Sequence, residues 1–320
     1  MIPRIPRRTA ALLLTAPAIA RAQDNQTLRI IIPQPPGGAT DVLARLLIEP
    51  LARELGRNVI IENRPGANGI VSINALKQSR PDGNTMLLGG VSIFSFNPNL
   101  FSNLNYDPWR DFSWIAPIAD TPYAIIVGRR TGITTMQQYV ERARAEPERI
   151  TYGSAGNGNS THIGMEMVAE RANIRLTHVP FAGSAPALTA IIAGDVDGMF
   201  TPLGSALQSA EAGQVVPLVT MGRERSPALP NTPTLNEAGL GNITLPGWYA
   251  FVGPAGMPQA IVERLNAATR AVVDSAAVTR KLRDVVLEPV SGSAQSIQDR
   301  AKAESAEIAA FVRRRGIRVE

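Results

Sequence analysis

The chain contains no cysteine, and among its 320 residues there are only two histidines, His162 and His178. The first absence excludes a disulfide framework, a thiolate nucleophile and Cys-ligated zinc or iron–sulfur centres. The second confines imidazole chemistry to two positions. Charged residues make up only 18%, below the roughly 25% of ordinary globular chains. With apolar residues at 44% and mean hydropathy at zero, disorder and coiled coil are both disfavoured. No apolar run reaches the ~20 residues that a bilayer span requires, so the chain is not expected to be membrane-embedded. At about 150 residues per domain, the length fits two domains or one large one.

The first residues carry an export signal in form. Arg4, Arg7 and Arg8 precede an apolar stretch over 9–20, which is interrupted by Pro17 and ends in Ala20-Arg21-Ala22. Cleavage is expected after Ala22. Arg7-Arg8 fits a twin-arginine signal or an ordinary basic n-region, and no lipobox cysteine is present. Residues 1–22 hold four arginines and no acid, so subtracting them from the net charge of +5 leaves +1. A sequence pI of 9.9 therefore says little about nucleic acid, which is not expected as a partner.

Beyond the leader, strand-like and helix-like segments alternate. Leu28 to Pro33 is an apolar β-branched run, followed by a Pro-Pro-Gly-Gly turn and a periodic stretch from Asp41 to Leu55. Thr40 or Asp41 suits the helix start and Gly56 its end, and Pro50 predicts a kink or break. Strands at Asn58 to Glu62 and Thr85 to Leu88 flank a helix to about Ser79, an economical parallel βαβαβ unit. After a Pro-rich connection from Tyr106 to Pro122, a second series starts with a strand at Tyr123 to Val127. A helix follows whose Thr134 and Gln137 have capping-box spacing. Strands at Ile150 to Tyr152, Leu176 to Val179, Val196 to Phe200 and Val215 to Thr220 then alternate with helices. Pro227 to Pro246 is a connection, Trp248 to Val252 a strand, and the rest helical. The last part has few strands of its own and is expected to pack on the first sheet. The predicted domains are 23–122 with 248–320, and 123–247.

In open α/β sheets ligands bind beyond the carboxyl ends of strands, where helix N-termini present unpaired N–H groups. Four such junctions are rich in Gly, Ser, Thr or Asn: Gln34 to Asp41, Gly89 to Ser95, Gly153 to His162 and Phe181 to Ala185. They contain no Lys or Arg and suit a carboxylate, although plain turn chemistry explains any one of them. Enzyme signatures fail at required residues. Asn159 stands where a P-loop lysine would be, and Thr161 where the third glycine of a dinucleotide fingerprint would be. His162 and Glu166, one helical turn apart, form at most half a metal site, with no second pair; capping or packing at a loop–helix junction is the alternative for His162. His178 reads as a core or edge histidine. No cofactor, metal or catalytic residue is expected.

Across the mature chain the motifs Pro35-Pro36-Gly37-Gly38-Ala39-Thr40-Asp41, Glu62-Asn63-Arg64-Pro65-Gly66-Ala67-Asn68-Gly69 and Pro81-Asp82-Gly83-Asn84-Thr85 occur in order. Gly153-Ser154-Ala155-Gly156-Asn157-Gly158-Asn159-Ser160-Thr161-His162, Pro180-Phe181-Ala182-Gly183 and Gly194-Asp195-Val196-Asp197 follow. In this order and spacing the chain resembles the Bug-type substrate-binding proteins of tripartite tricarboxylate transporters. The resemblance implies a periplasmic, two-domain α/β Venus flytrap of type II-like fold with two crossing strands. It also implies closure on a small organic acid, a di- or monocarboxylate or an amino acid, and delivery to membrane permease subunits. It places the ligand carboxylate between Gly37, Gly38, Ala39 and Thr40 on one side and Ser154, Asn157, Gly158 and Asn159 on the other. Pro36, Ser92, Gly183, Ser184 and Asp197 complete the expected site, with Gln34 where the family often has an aromatic or apolar residue. Two other readings are a ligand sensor for a membrane histidine kinase and an exported serine hydrolase using Ser160 or Ser154 with His162. Should a cation serve the carboxylate, Arg64 and Arg110 are the candidates.

Overall fold

The structure, a computed structural model, describes residues 27–319 apart from 242, 244 and 246. The leader expected over residues 1–22 lies outside the described residues. The chain begins with β1 (Leu28–Ile32), α1 (Ala39–Leu55), β2 (Val59–Asn63), α2 (Ile70–Lys77) and β3 (Thr85–Gly90). β1 pairs in parallel with both β2 and β3. Leu28, Ile30, Ile31 and Ile32 are fully buried, because a central parallel strand is covered on both faces. α1 buries Leu43, Leu47, Leu51 and Leu55 along one stripe and ends at Gly56, whose φ of 64° lets its N–H return to the Ala52 and Arg53 carbonyls.

Two local expectations for α1 are corrected. The helix runs through Pro50 without a break. The proline lies on the half-exposed side, where the carbonyl it leaves unpaired can meet water while the buried leucines hold both halves in line. The N-cap is Gly38 rather than Thr40 or Asp41; Asp41 instead folds back to accept the Gly37 N–H at 3.0 Å.

A π-helical turn over Ser92–Phe96 leads into α3 (Asn97–Leu100) and then β4 (Phe112–Asp120). β4 lies within the expected Pro-rich connection. Its Pro117 pairs with Ala250 beside a register irregularity, where a missing ladder donor is tolerated. The next elements are β5 (Tyr123–Gly128), α4 (Met136–Ala145), β6 (Thr151–Ser154), α5 (Ser160–Ala172) and β7 (Thr177–Pro180). After them come α6 (Ser184–Ala193), β8 (Gly198–Pro202), α7 (Leu203–Glu211) and β9 (Val215–Met221). The cap of α4 is Thr135 bonding Gln138, one residue later than expected. The chain closes with β10 (Trp248–Pro254), α8 (Gln259–Val273), α9 (Ala276–Asp284), β11 (Glu288–Pro289) and α10 (Ala294–Arg315).

Two sheets result, a six-stranded one in the order β11-β4-β10-β3-β1-β2 and a five-stranded one in the order β7-β6-β8-β5-β9. The first is mixed, since β10 runs antiparallel to both β3 and β4. The chain passes between the sheets at β4–β5 and again at β9–β10. At the passage the Thr121 N–H donates to the Gly247 carbonyl at 2.8 Å. The C-terminal helices cover the first sheet: Val262, Leu265 and Leu282 of α8 and α9 share a core with the α1 leucines. On the opposite face, Ile297, Phe311 and Val312 of α10 pack with Phe94, Trp114 and Trp248.

Candidate functional site

A cavity of about 390 Å³ lies between the two sheets. The first sheet contributes Gln34, Thr40, Asn68, Ser92, Ile93, Trp248 and Tyr249, with Phe101 and Val319 beside them. Tyr123, Asn157, Asn159, Ser160, Phe181, Gly183 and Ser184 line it from the second. Of the expected residues, Gln34, Thr40, Ser92, Asn157, Asn159, Gly183 and Ser184 are therefore brought together. Pro36, Gly37, Gly38, Ala39, Ser154, Gly158 and Asp197 are not among the lining residues. No Lys, Arg, Asp or Glu lines the cavity among the described residues. Arg64 pairs with Glu62, and Arg110, whose side chain is 86% exposed, faces Asp107 at 3.6 Å.

The loop after β1 is built around the buried Asp41. Its carboxylate accepts from Gly37 N–H and Asn63 Nδ2, both at 3.0 Å, and from Arg45 Nε at 2.8 Å. Burial alone would raise the Asp41 pKa, but Arg45, the Gly37 N–H and Asn63 outweigh it and hold the group below the ordinary carboxylate value. Gly38 N–H donates to the Pro35 carbonyl at 3.2 Å, and Thr40 N–H to Gln34 Oε1 at 3.3 Å. The Gln34 amide thus takes an α1 N-terminal donor for itself. It also explains Gly38, where a Cβ would lie 2.7 Å from Gln34 Oε1.

In the loop after β6 most N–H groups are likewise engaged within the protein. Ala155 N–H donates to Thr161 Oγ1 at 2.8 Å, Gly156 N–H to Ser154 Oγ at 3.2 Å and Gly158 N–H to His162 Nδ1 at 3.0 Å. Asn159 caps α5 by accepting from Thr161 N–H. Among the described residues, the N–H groups of Ala39, Asn157, Ser184 and Ala185 have no protein acceptor. Of these four residues only Asn157 and Ser184 line the cavity, so its donors are those two N–H groups and hydroxyls rather than a continuous glycine cradle. Asp197 instead fixes the start of β6, accepting from Thr151 N–H and Oγ1 at 2.8 and 2.9 Å.

The two halves meet at the cavity rim. Ser160 N–H donates to Ser92 Oγ at 2.9 Å and Asn159 Nδ2 to Asn68 Oδ1 at 3.2 Å. A Cβ on Gly183 would lie 3.1 Å from Pro35, and one on Gly158 would lie 2.8 Å from Leu100. At the outer edge, Arg314 and Arg315 of α10 pair with Glu170 and Glu166 of α5, each at 3.0 Å. Asn68, Tyr123, Trp248 and Tyr249 line the cavity although sequence reasoning did not single them out. Asn68 had a visible signal, since it sits in the Gly66-Ala67-Asn68-Gly69 turn and adopts φ 48°. The aromatics read as core strand residues. Burial pushes the Tyr123 phenol up to about 12.

Neither serine of the hydrolase reading meets His162. Ser154 Oγ is buried and lies 2.7 Å from His178 Nε2, and Ser160 Oγ donates to Asn159 Oδ1 at 3.3 Å. No group of three or more potential metal ligands occurs among the described residues, and no helix there is long and apolar enough to cross a membrane.

Residues 43–317 match the profile of the family described as "Tripartite tricarboxylate transporter family receptor". A relative from Bordetella pertussis, a "UPF0065 protein", is 34% identical over 292 residues, covering 90% of each chain. The solved structure "R. palustris Rpa4515 with adipate" superposes with a TM-score of 0.89 at 30% identity, over 92% of this chain and 98% of that one. "MatC (Rpa3494) from Rhodopseudomonas palustris with bound malate" gives 0.85 at 27% identity, over 90% and 99%.

Proposed function

The chain belongs to the tripartite tricarboxylate transporter receptor family, and from that premise we propose that it is a non-catalytic periplasmic receptor for a small dicarboxylate. The observation that carries the reading is the cavity between the sheets, ringed by Ser92, Thr40, Ser160, Ser184 and the unengaged N–H groups of Asn157 and Ser184, with no cationic side chain among the described residues. Such donors replace the hydration of a carboxylate without adding charge. At roughly 1.5–3 kcal/mol for each charge-assisted hydrogen bond, four or five of them offset desolvation and closure at about micromolar affinity, near −8 kcal/mol. The adipate and malate held by the two neighbours set the class of ligand to try first.

Residues 23–122 with 248–320 form one lobe and 123–247 the other in this reading. Closure is a hinge motion about the adjacent passages at Thr121 and Gly247. Residues 1–22 are the export signal, removed after Ala22, and the closed receptor hands its ligand to membrane permease subunits. A thermal-shift screen of the mature chain against mono-, di- and tricarboxylates tests the function. A ligand at 100 times its Kd adds about 2.7 kcal/mol, so at least one dicarboxylate should raise Tm by several degrees. A flat response to every carboxylate, or conversion of the bound compound to product, overturns it.

A further inference from the structure

The two histidines, which neither the family match nor the cavity lining accounts for, stack behind the ligand loop. Their rings are 3.9 Å apart and 4° from parallel, and the Tyr152 ring continues the stack at 4.9 Å from His178. Each imidazole holds a different point of the loop after β6. His162 Nδ1 accepts the Gly158 N–H at 3.0 Å. His178 Nε2 lies 2.7 Å from Ser154 Oγ, which in turn accepts the Gly156 N–H at 3.2 Å. The loop segment between them carries Asn157, whose N–H faces no protein acceptor.

We propose that His162 and His178 are positioning residues of the receptor, a neutral stacked pair that fixes the backbone of residues 154–158 in its ligand-receiving shape. The inference rests on the carboxylate-receptor reading and assigns it a structural cause. The Gly158 bond requires Nδ1 to carry no proton, because a protonated Nδ1 would set one N–H against another. Two rings this close cannot both be charged. Burial lowers the His162 pKa, with Glu166 opposing, and burial followed by the neighbouring His162 pushes His178 down to about 3. Among the described residues the groups facing the pair are few. They are Tyr152 of β6, whose hydroxyl donates to Glu166 at 2.7 Å, Glu166 itself on α5, and Arg315 of α10 bonded to Glu166.

Asparagine and glutamine separate the two contacts by atom, since Asn places its oxygen near the imidazole Nδ1 position and Gln places its amide near Nε2. His162→Asn and His178→Gln should therefore keep adipate affinity within about threefold, while His162→Gln and His178→Asn weaken it about tenfold or more, the effect of one lost hydrogen bond. All four should unfold at similar temperatures, as the swaps are closely matched in size. In wild type, affinity should be level at neutral pH and fall on the acid side as His162 and the adipate carboxylates gain protons; in His162→Asn only the part due to adipate's own protonation should remain. NMR of the ligand-free protein gives a readout that needs no ligand. It should show His162 Nδ1 unprotonated at neutral pH and a Gly158 amide resonance that shifts as His162 titrates. A protonated Nδ1, a Gly158 amide indifferent to His162→Gln, or equal adipate affinity in His162→Asn and His162→Gln would overturn the proposal. If wild type binds no adipate, the ligand class fails while the NMR result still decides the role of the pair.

Discussion

Gly158 adopts φ 74°, and a Cβ there would meet Leu100 at 2.8 Å and Val319 at 3.0 Å. Both contacts lie across the interface between the sheets, so the residue governs how closely the halves approach rather than the surface the ligand touches. Gly158→Val should cost about 1–2 kcal/mol for a β-branched residue in the left-handed region. It should also weaken ligand binding at least tenfold by blocking closure. Denaturation and calorimetry together check this; wild-type affinity would show that the loop closes without this contact. Half of the residues expected at the candidate site line the cavity, drawn from the Gly-, Ser-, Thr- and Asn-rich strand-to-helix junctions. What was hidden is how the chain spends the donors of those junctions on itself. The acceptors are Asp41, Gln34, Thr161 and His162. Three of them follow their donors by only four to six residues and Gln34 precedes its donor by six, yet the bonds depend on side-chain rotamers that periodicity does not encode.

The junction between β1 and α1 is held by one carboxylate. Asp41 has a folded pKa below its ordinary value, so the stability it contributes is present above its unfolded pKa of about 3.9 and is lost as pH falls through the folded value. Asp41→Asn should lower Tm at neutral pH, with an acid limb flatter than that of wild type below about pH 4. Parallel acid limbs in the two proteins would show that other carboxylates set the acid sensitivity. Elements with uninterrupted patterns were legible: the apolar run of β1 and the leucine stripe of α1. β4 was not, because Pro108 and Pro117 disguise a strand whose proline sits at an irregularity. The two-residue β11 is too short to leave a pattern.

At the scale of the whole molecule, α10 reaches from the first sheet to α5 through Arg314–Glu170 and Arg315–Glu166. Exposed pairs of this kind contribute about 0–1 kcal/mol each, enough to bias a closure equilibrium without locking it. Removing both arginines by alanine substitution should enlarge the ligand-free molecule in small-angle scattering; unchanged dimensions would show that the rim contacts at Ser92 and Asn68 suffice. The central claim is that a carboxylate is held between the sheets by N–H groups and hydroxyls, with no lysine or arginine at the cavity among the described residues. Isothermal titration of the mature chain with adipate and malate, at ionic strengths from about 0.01 to 1 M, tests it most directly, since the Debye length shrinks from about 30 to 3 Å over that range. The expected result is one-to-one binding of at least one of them, with a Kd that changes less than about threefold because the closed site is screened far less than surface charge. An order-of-magnitude loss of affinity at high salt, or its abolition by Arg64→Ala or Arg110→Ala, would mean that a direct ion pair holds the ligand and would contradict the claim.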